Sequence, residues 1–206
     1  MDKFFRWFGL PGAVVLTALL STTALLRALF VPSAVHWLCF AAMLCSSAGD
    51  LFLARLKTLT SRIKNCFTIG CIWFMISHSL YALCYGMKSS DLGMPVFNIG
   101  AVIALLIGVL ASAALIFLAV SLKNTKKLPL VLIYLCVILL NCAAVFSYAF
   151  SAAARSVFAV FAAIGVFSFL LSDFIIGLNL TGKLHRFDAL VWWLYPIGQI
   201  LLILGA

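Results

Sequence analysis

The sequence predicts an all-α fold, a polytopic bundle of about seven transmembrane helices. Apolar residues make up 66% of the 206 residues and charged residues only 9%, and the mean hydropathy is +1.25, a composition typical of helical membrane proteins. The apolar residues also form runs of about 20, the length that a helix needs to cross the hydrocarbon core of a bilayer. No linker, repeat or polar domain separates these runs, so we expect one transmembrane domain over residues 1–206.

Each predicted span is one apolar run. In chain order the runs cover residues 9–30, 35–54, 65–86, 94–121, 128–150, 155–179 and 189–203. The first run is longer than a signal-peptide core and is followed by further spans, so we expect a retained helix. The fourth is longer than one straight span requires, and we expect it to be tilted or broken.

Lysine and arginine residues are distributed unevenly between the two predicted sides of the membrane. One side receives only Arg27, Lys88 and Arg155, whereas the others lie in the N-terminal tail and in the second, fourth and sixth loops. By the positive-inside rule, the N-terminus of this multi-pass protein is cytoplasmic and, with seven spans, the C-terminus is outside; in a bacterium the membrane is the inner (cell) membrane. The basic loops are expected to contact anionic lipid headgroups, so the net charge of +9 does not indicate nucleic acid binding.

Two of the acidic residues lie inside predicted spans. All five acidic residues are aspartates, and Asp50 and Asp173 are surrounded by apolar sequence. A charged group in the middle of a membrane costs at least about 2.5 kcal/mol, so an aspartate there is a candidate functional residue.

Polar and aromatic side chains recur at three- and four-residue spacing in four of the spans, which places them on one face of each helix. These stripes are Ser46, Gly49 and Asp50; Phe74, His78 and Tyr81; Gly165, Ser168 and Ser172, with Asp173 beside them; and Trp192, Tyr195 and Gln199, where Pro196 is expected to bend the helix. We expect each stripe to face the bundle interior. With a cytoplasmic N-terminus, both aspartates and Tyr195 fall roughly 6 to 10 Å inside the cytoplasmic helix ends, and His78 and Gln199 lie deeper.

Structural roles are the alternatives for these residues. Asp50 could pair with Arg55 or Lys57, and His78 could form a hydrogen bond between helices. Interfacial packing is the alternative for the tyrosines. Asn141, alone in the fifth span, is typical of a polar contact between helices. The seven cysteines have no zinc-binding or disulfide spacing.

The order and spacing of these groups resemble the lysoplasmalogenase (YhhN-like) family of multi-pass membrane hydrolases. The matching residues are 47–50, Gly70 and 74–81 for a "GD…G…F…H..Y" block, 171–174 with Asn179 for an "SD" block, and 193–195 with Gln199 for a closing "Y…Q" helix. The resemblance extends from about residue 10 to the end of the chain. Family members usually have eight spans, so with seven predicted spans we expect the usual first helix to be the one that does not match.

The resemblance implies hydrolysis of the vinyl ether bond of a lysoplasmalogen, with no cofactor and no metal. The products would be a fatty aldehyde and glycerophospho-ethanolamine or glycerophospho-choline. A vinyl ether is hydrolysed by protonation of its β-carbon, which creates an oxocarbenium ion that water captures. Two carboxyl groups in unequal environments suit these steps, as in glycosidases. We expect Asp173, the deeper one, to be the acid and Asp50 the base, with the reverse order also open.

Other side chains are expected to orient the reacting groups or to bind the substrate. The side chains expected to orient the carboxyl groups, the water or the glycerol oxygens are His78, Tyr81, Tyr195, Gln199, Ser46, Ser172 and Asn179. Arg55, Lys57 or Lys183 is expected to hold the phosphate of the lysophospholipid, and membrane lipids are the other expected partners. Two alternatives remain: a transporter or proton-coupled carrier with buried Asp and His as a relay, and a metal-dependent hydrolase with a carboxylate-rich site.

Overall fold

The computed structural model describes residues 10–53, 63, 65–93, 95, 98–122, 126, 128–151, 156–182 and 188–206, without the side chains of residues 10, 11, 13, 179–182, 188 and 189. This part of the chain forms seven α-helices and no strand, which confirms the predicted all-helical bundle. The helices are α1 (Leu10–Phe30), α2 (Ala34–Leu53), α3 (Cys66–Asp91), α4 (Ile99–Ser121), α5 (Leu128–Phe150), α6 (Val157–Gly182) and α7 (Asp188–Gly205).

The helices have the length and surface of membrane spans. Within the described residues, five of them, α2 to α6, are long and apolar enough to cross a bilayer. The apolar stretches in the first and last helices, Val14–Phe30 and Leu190–Gly205, are shorter. Large apolar side chains such as Leu110, Phe117 and Trp193 are exposed, as expected of a surface that faces lipid. The chain is therefore a multi-pass membrane protein.

The start of α4 differs from the prediction. Asn98 has extended backbone angles (φ −130°, ψ −169°) and its side chain accepts a hydrogen bond from the backbone N–H of Gly100. This contact caps the helix, because the first N–H groups of a helix have no partner within it. Gly93, which follows α3, has φ +66°, a conformation that glycine adopts without strain. α4 is one unbroken helix of 23 residues, so of the two expected forms, tilted or broken, the broken one was wrong.

Pairs of glycines bring neighbouring helices into backbone contact. Helix α3 packs against α2 and α5, and α6 packs against α7, α5 and α4. A Cβ atom added at Gly49 of α2 would lie 2.7 Å from the ring of Phe74 and 3.2 Å from the carbonyl oxygen of Gly70, both on α3. Small residues of this kind let transmembrane helices approach closely. Asp50, the residue after Gly49, is thereby brought close to α3.

A second glycine contact joins α6 and α7. A Cβ atom at Gly165 would lie 2.9 Å from the backbone nitrogen of Leu202 and 3.0 Å from the carbonyl oxygen of Gly198. A Cβ atom at Gly198 would lie 3.0 Å from the carbonyl oxygen of Gly165. Because backbone atoms are in contact on both sides, the two helices cannot separate without losing this packing. Their close approach sets α7 beside the face of α6 that carries Asp173.

Candidate active site

Both intramembrane aspartates line one cavity. The cavity has a volume of about 330 Å³ and is lined by side chains of α1, α2, α3, α5, α6 and α7. Asp50 reaches it from α2 and Asp173 from α6. Most of the remaining lining is apolar and includes Leu16, Leu53, Phe74, Val131, Ile176 and Val191. Two carboxyl groups that lie far apart in the sequence therefore share one largely apolar compartment.

Asp50 is held by a phenol from α7. The hydroxyl of Tyr195 donates a hydrogen bond to Asp50 Oδ2 over 2.5 Å. The ring of Tyr195 packs edge-on against Phe74 and Phe169, with ring centroids 6.0 and 5.3 Å apart. Edge-to-face packing of this kind is favourable for aromatic pairs. Two rings from different helices thus restrict the position of the phenol, and the phenol restricts the carboxyl group.

Asp173 is surrounded by a different set of groups. The hydroxyl of Tyr134 in α5 donates to Asp173 Oδ2 over 2.7 Å. His78 Nε2 lies 3.6 Å from the same oxygen and 3.4 Å from the Tyr134 hydroxyl. The His78 side chain is fully buried, and that of Asp173 is 11% exposed. The edge of the Phe169 ring covers the imidazole, with a centroid distance of 4.5 Å. Tyr134, which also lines the cavity, and His78 therefore face the same oxygen of this carboxyl group.

Asn141 extends this arrangement behind the histidine. Its side-chain nitrogen lies 3.1 Å from His78 Nδ1, and both side chains are fully buried. The predicted contact between helices is therefore present, joining α5 to α3. The side chain that it contacts is one of the predicted site residues.

Besides His78, three predicted site residues are not among the side chains that line the cavity. The hydroxyl of Tyr81 donates to Gln199 Oε1 over 2.8 Å, and Gln199 Nε2 donates to the hydroxyl of Ser46 over 2.9 Å. Ser46 is also hydrogen-bonded to Ser77, at 2.7 Å. None of these four side chains, all within described helices, lines the cavity. Because buried polar groups need partners, these side chains bind one another and do not line the cavity. Their expected role in orienting the carboxyl groups, the water or the glycerol oxygens stays a prediction.

Two further predictions concern α6. Ser172 lines the cavity, and its buried hydroxyl has no hydrogen-bond partner within the described part of the chain. The helix continues to Gly182, so at about 1.5 Å per residue Asp173 lies about 13 Å from its end, further than expected. The side chain of Asn179 falls outside the described residues.

Several predictions involve residues that the structure does not describe. Arg55, Lys57 and Lys183, proposed from the sequence as phosphate ligands, lie outside the described residues.

For the metal-dependent alternative, no three His, Cys, Asp or Glu side chains in the described ranges are arranged to hold a metal ion.

Tyr134 is the site residue that the sequence analysis missed. It lies in α5, a helix that is otherwise almost entirely apolar, and it was not assigned a role. Its position seven residues before Asn141 was an available signal, because two helical turns place both residues on one face. The sequence did not indicate that this face of α5 contacts both α3 and α6.

The sequence was also compared with known families, curated proteins and solved structures. The model of the YhhN family matches residues 6–206, nearly the whole chain. No curated protein and no solved structure matches this chain. The matched segment contains all seven helices and both aspartates of the cavity. The chain belongs to the YhhN family.

Proposed function

We propose that this protein is a lysoplasmalogenase, which hydrolyses the vinyl ether bond of lysoplasmenyl-ethanolamine or lysoplasmenyl-choline. The observation that carries the proposal is the cavity shared by Asp50 and Asp173. Family membership supports it, since the YhhN family includes lysoplasmalogenases. The apolar lining suits the alkenyl chain of the lipid, and two carboxyl groups in the same cavity suit acid–base attack on its vinyl ether bond.

The contacts of the two aspartates differ, and this supports different roles. Tyr134 donates to Asp173 Oδ2, and His78 Nε2 faces the same oxygen. Two such groups complement a carboxylate, which only accepts hydrogen bonds. Asp50 receives one phenol, from Tyr195. We therefore assign the base to Asp173 and the acid to Asp50, the reverse of the order expected from depth alone.

The reaction then proceeds in three steps. The carboxylic acid of Asp50 gives its proton to the β-carbon of the vinyl ether, which leaves an oxocarbenium ion at the α-carbon. The carboxylate of Asp173 stabilises this cation and takes a proton from the water that attacks the α-carbon. The resulting hemiacetal breaks its bond to the glycerol oxygen, which receives the proton held by Asp173, while the hemiacetal hydroxyl gives its proton to the carboxylate of Asp50. The products are a fatty aldehyde and glycerophospho-ethanolamine or glycerophospho-choline. Both carboxyl groups return to their initial protonation states.

Hydrolysis in deuterium oxide will label the aldehyde. Because the β-carbon receives its new hydrogen from solvent through the acid, we expect one deuterium at carbon 2 of the aldehyde. Purified protein would be incubated with lysoplasmenyl-ethanolamine, and the aldehyde reduced at once to the alcohol for mass spectrometry. Unlabelled aldehyde incubated with the Asp50→Asn variant and then reduced measures exchange of the product itself. Aldehyde without deuterium would contradict protonation at carbon, and the absence of any aldehyde would overturn the proposed function.

Removing the Tyr195 hydroxyl that donates to Asp50 will slow the reaction. A hydrogen bond to a charged or reacting carboxyl group contributes about 1.5 to 3 kcal/mol, so we expect Tyr195→Phe to lower kcat about ten- to a hundredfold. Tyr85→Phe is the control, because Tyr85 is a buried tyrosine whose hydroxyl donates instead to the carbonyl oxygen of Leu202. We expect the control to retain kcat. Equal rates for both variants in an aldehyde-release assay would show that the Tyr195 hydroxyl has no part in turnover.

A further inference from the structure

The two ring nitrogens of His78 face different helices. Nδ1 lies 3.1 Å from the side-chain nitrogen of Asn141 in α5. Nε2 lies 3.6 Å from Asp173 Oδ2 in α6 and 3.4 Å from the hydroxyl of Tyr134. The imidazole has no exposed surface, so these protein groups, rather than bulk water, determine its hydrogen bonding.

The contact with Asn141 restricts where the His78 proton can be. A neutral imidazole has one nitrogen that donates and one that accepts, and an amide nitrogen only donates. With the Asn141 nitrogen facing it, Nδ1 must be the acceptor, and the proton of the neutral ring is then on Nε2. In histidines generally, the hydrogen bond made by one ring nitrogen determines whether the other ring nitrogen carries the proton.

We propose that Asn141 is a positioning residue that holds His78 in the Nε2–H tautomer, so that the imidazole presents a neutral N–H group to Asp173. The carboxyl group of Asp173 then faces two donors, the Tyr134 hydroxyl and His78 Nε2–H. A neutral donor orients the carboxylate and leaves its negative charge for the cation formed in the reaction. The effect on turnover rests on the proposed lysoplasmalogenase function, whereas the tautomer itself does not.

The opposite orientation of the Asn141 amide makes a distinct prediction. Rotated by half a turn, the amide would place Oδ1, which is buried without a partner among the described residues, against Nδ1. An oxygen there requires a proton on Nδ1, which leaves Nε2 of the neutral ring without one. The two orientations therefore predict different tautomers, and the position of the proton decides between them.

Nitrogen NMR of the full chain labelled with ¹⁵N-histidine measures the tautomer directly. Protonated and unprotonated ring nitrogens have well separated shifts, and couplings to the ring protons identify each nitrogen. The chain has three histidines, so the signal missing from His78→Gln is that of His78. We expect a proton on Nε2 alone at neutral pH in the wild type. In Asn141→Asp the carboxylate would accept from Nδ1, so we expect a proton on that nitrogen.

Two variants keep the experiment decisive. Asn141→Gln retains an amide and should keep the wild-type tautomer of His78 at least in part. Asn141→Leu removes the donor and should give a mixture of the two tautomers. A wild-type proton on Nδ1, or the same tautomer in the wild type and in the Asp and Leu variants, would overturn the proposal. Thermal unfolding of each variant shows whether it is folded. If one variant does not fold, the wild-type spectrum alone still decides between the two amide orientations.

Kinetics separate this proposal from the proposed function. We expect Asn141→Asp to lower kcat for aldehyde release about tenfold with little change in KM, because the substrate does not touch this residue. If the wild type shows the Nε2–H tautomer but releases no aldehyde, the proposed function fails and the tautomer assignment stands. If the wild type is active and its His78 carries the proton on Nδ1, only the positioning role fails.

Discussion

Replacing either aspartate of the cavity with asparagine will lower kcat for aldehyde release by about a thousandfold. Asparagine has nearly the same shape but neither gives up nor accepts a proton as a carboxyl group does, and acid–base catalysis contributes about 10² to 10⁴ in rate. Asp50→Asn and Asp173→Asn would be purified and assayed with lysoplasmenyl-ethanolamine by mass spectrometry of the aldehyde. Asp91→Asn is the control, because Asp91 is exposed at the end of α3, and it should retain the wild-type rate.

The two aspartates are also expected to differ in chemical rescue. Formate is ionised at neutral pH, so it can replace a carboxylate base but not a carboxylic acid. We therefore expect formate to restore part of the activity of Asp173→Ala and none of that of Asp50→Ala. Rescue of Asp50→Ala alone would reverse the assignment of acid and base. Near-wild-type activity in either asparagine variant would rule out the two-carboxylate mechanism.

Adding one methyl group at Gly165 will destabilise the protein. The new Cβ would meet the backbone of α7 at Leu202 and Gly198, atoms that cannot move aside as a flexible side chain can. Overpacking of this kind costs about 1 to 3 kcal/mol, more than the roughly 1 kcal/mol by which alanine favours a helix over glycine. We expect Gly165→Ala to unfold at a lower temperature than the wild type in lipid nanodiscs, and to lose activity as α7 moves away from α6.

Gly86→Ala is the matched control for this experiment. Gly86 lies inside α3, and a Cβ atom there would have no neighbour within 4 Å. The same chemical change should therefore leave the unfolding temperature unchanged or raise it slightly, with unchanged kcat. Similar unfolding temperatures for the Gly165 and Gly86 variants would show that the α6–α7 contact adapts to the added methyl group.

The spans and the two aspartates could be predicted because both depend on local properties. Whether a segment crosses a membrane depends on the apolarity of its own residues, so the predicted segments agree with α1 to α7 apart from a few residues at their ends. The cost of a charge in lipid likewise belongs to the single residue, which is why Asp50 and Asp173 were found without knowledge of their neighbours. The cap that starts α4 at Ile99 depends on the conformation of Asn98, and it was missed.

The contacts between helices were decided by the tertiary structure alone. Helical spacing shows which side chains share a face, but a face extends along the whole helix and meets different neighbours at different depths. Tyr195 therefore contacts Asp50, whereas Gln199, one turn further along α7, accepts a hydrogen bond from Tyr81. Tyr134 became part of the site because α5 packs between α3 and α6. By itself the sequence determined a membrane bundle with two costly carboxyl groups, because hydrophobicity and charge are properties of each segment. Only the packing of the helices decided that these groups share a cavity and which side chains hold them, because those contacts join residues far apart in the chain.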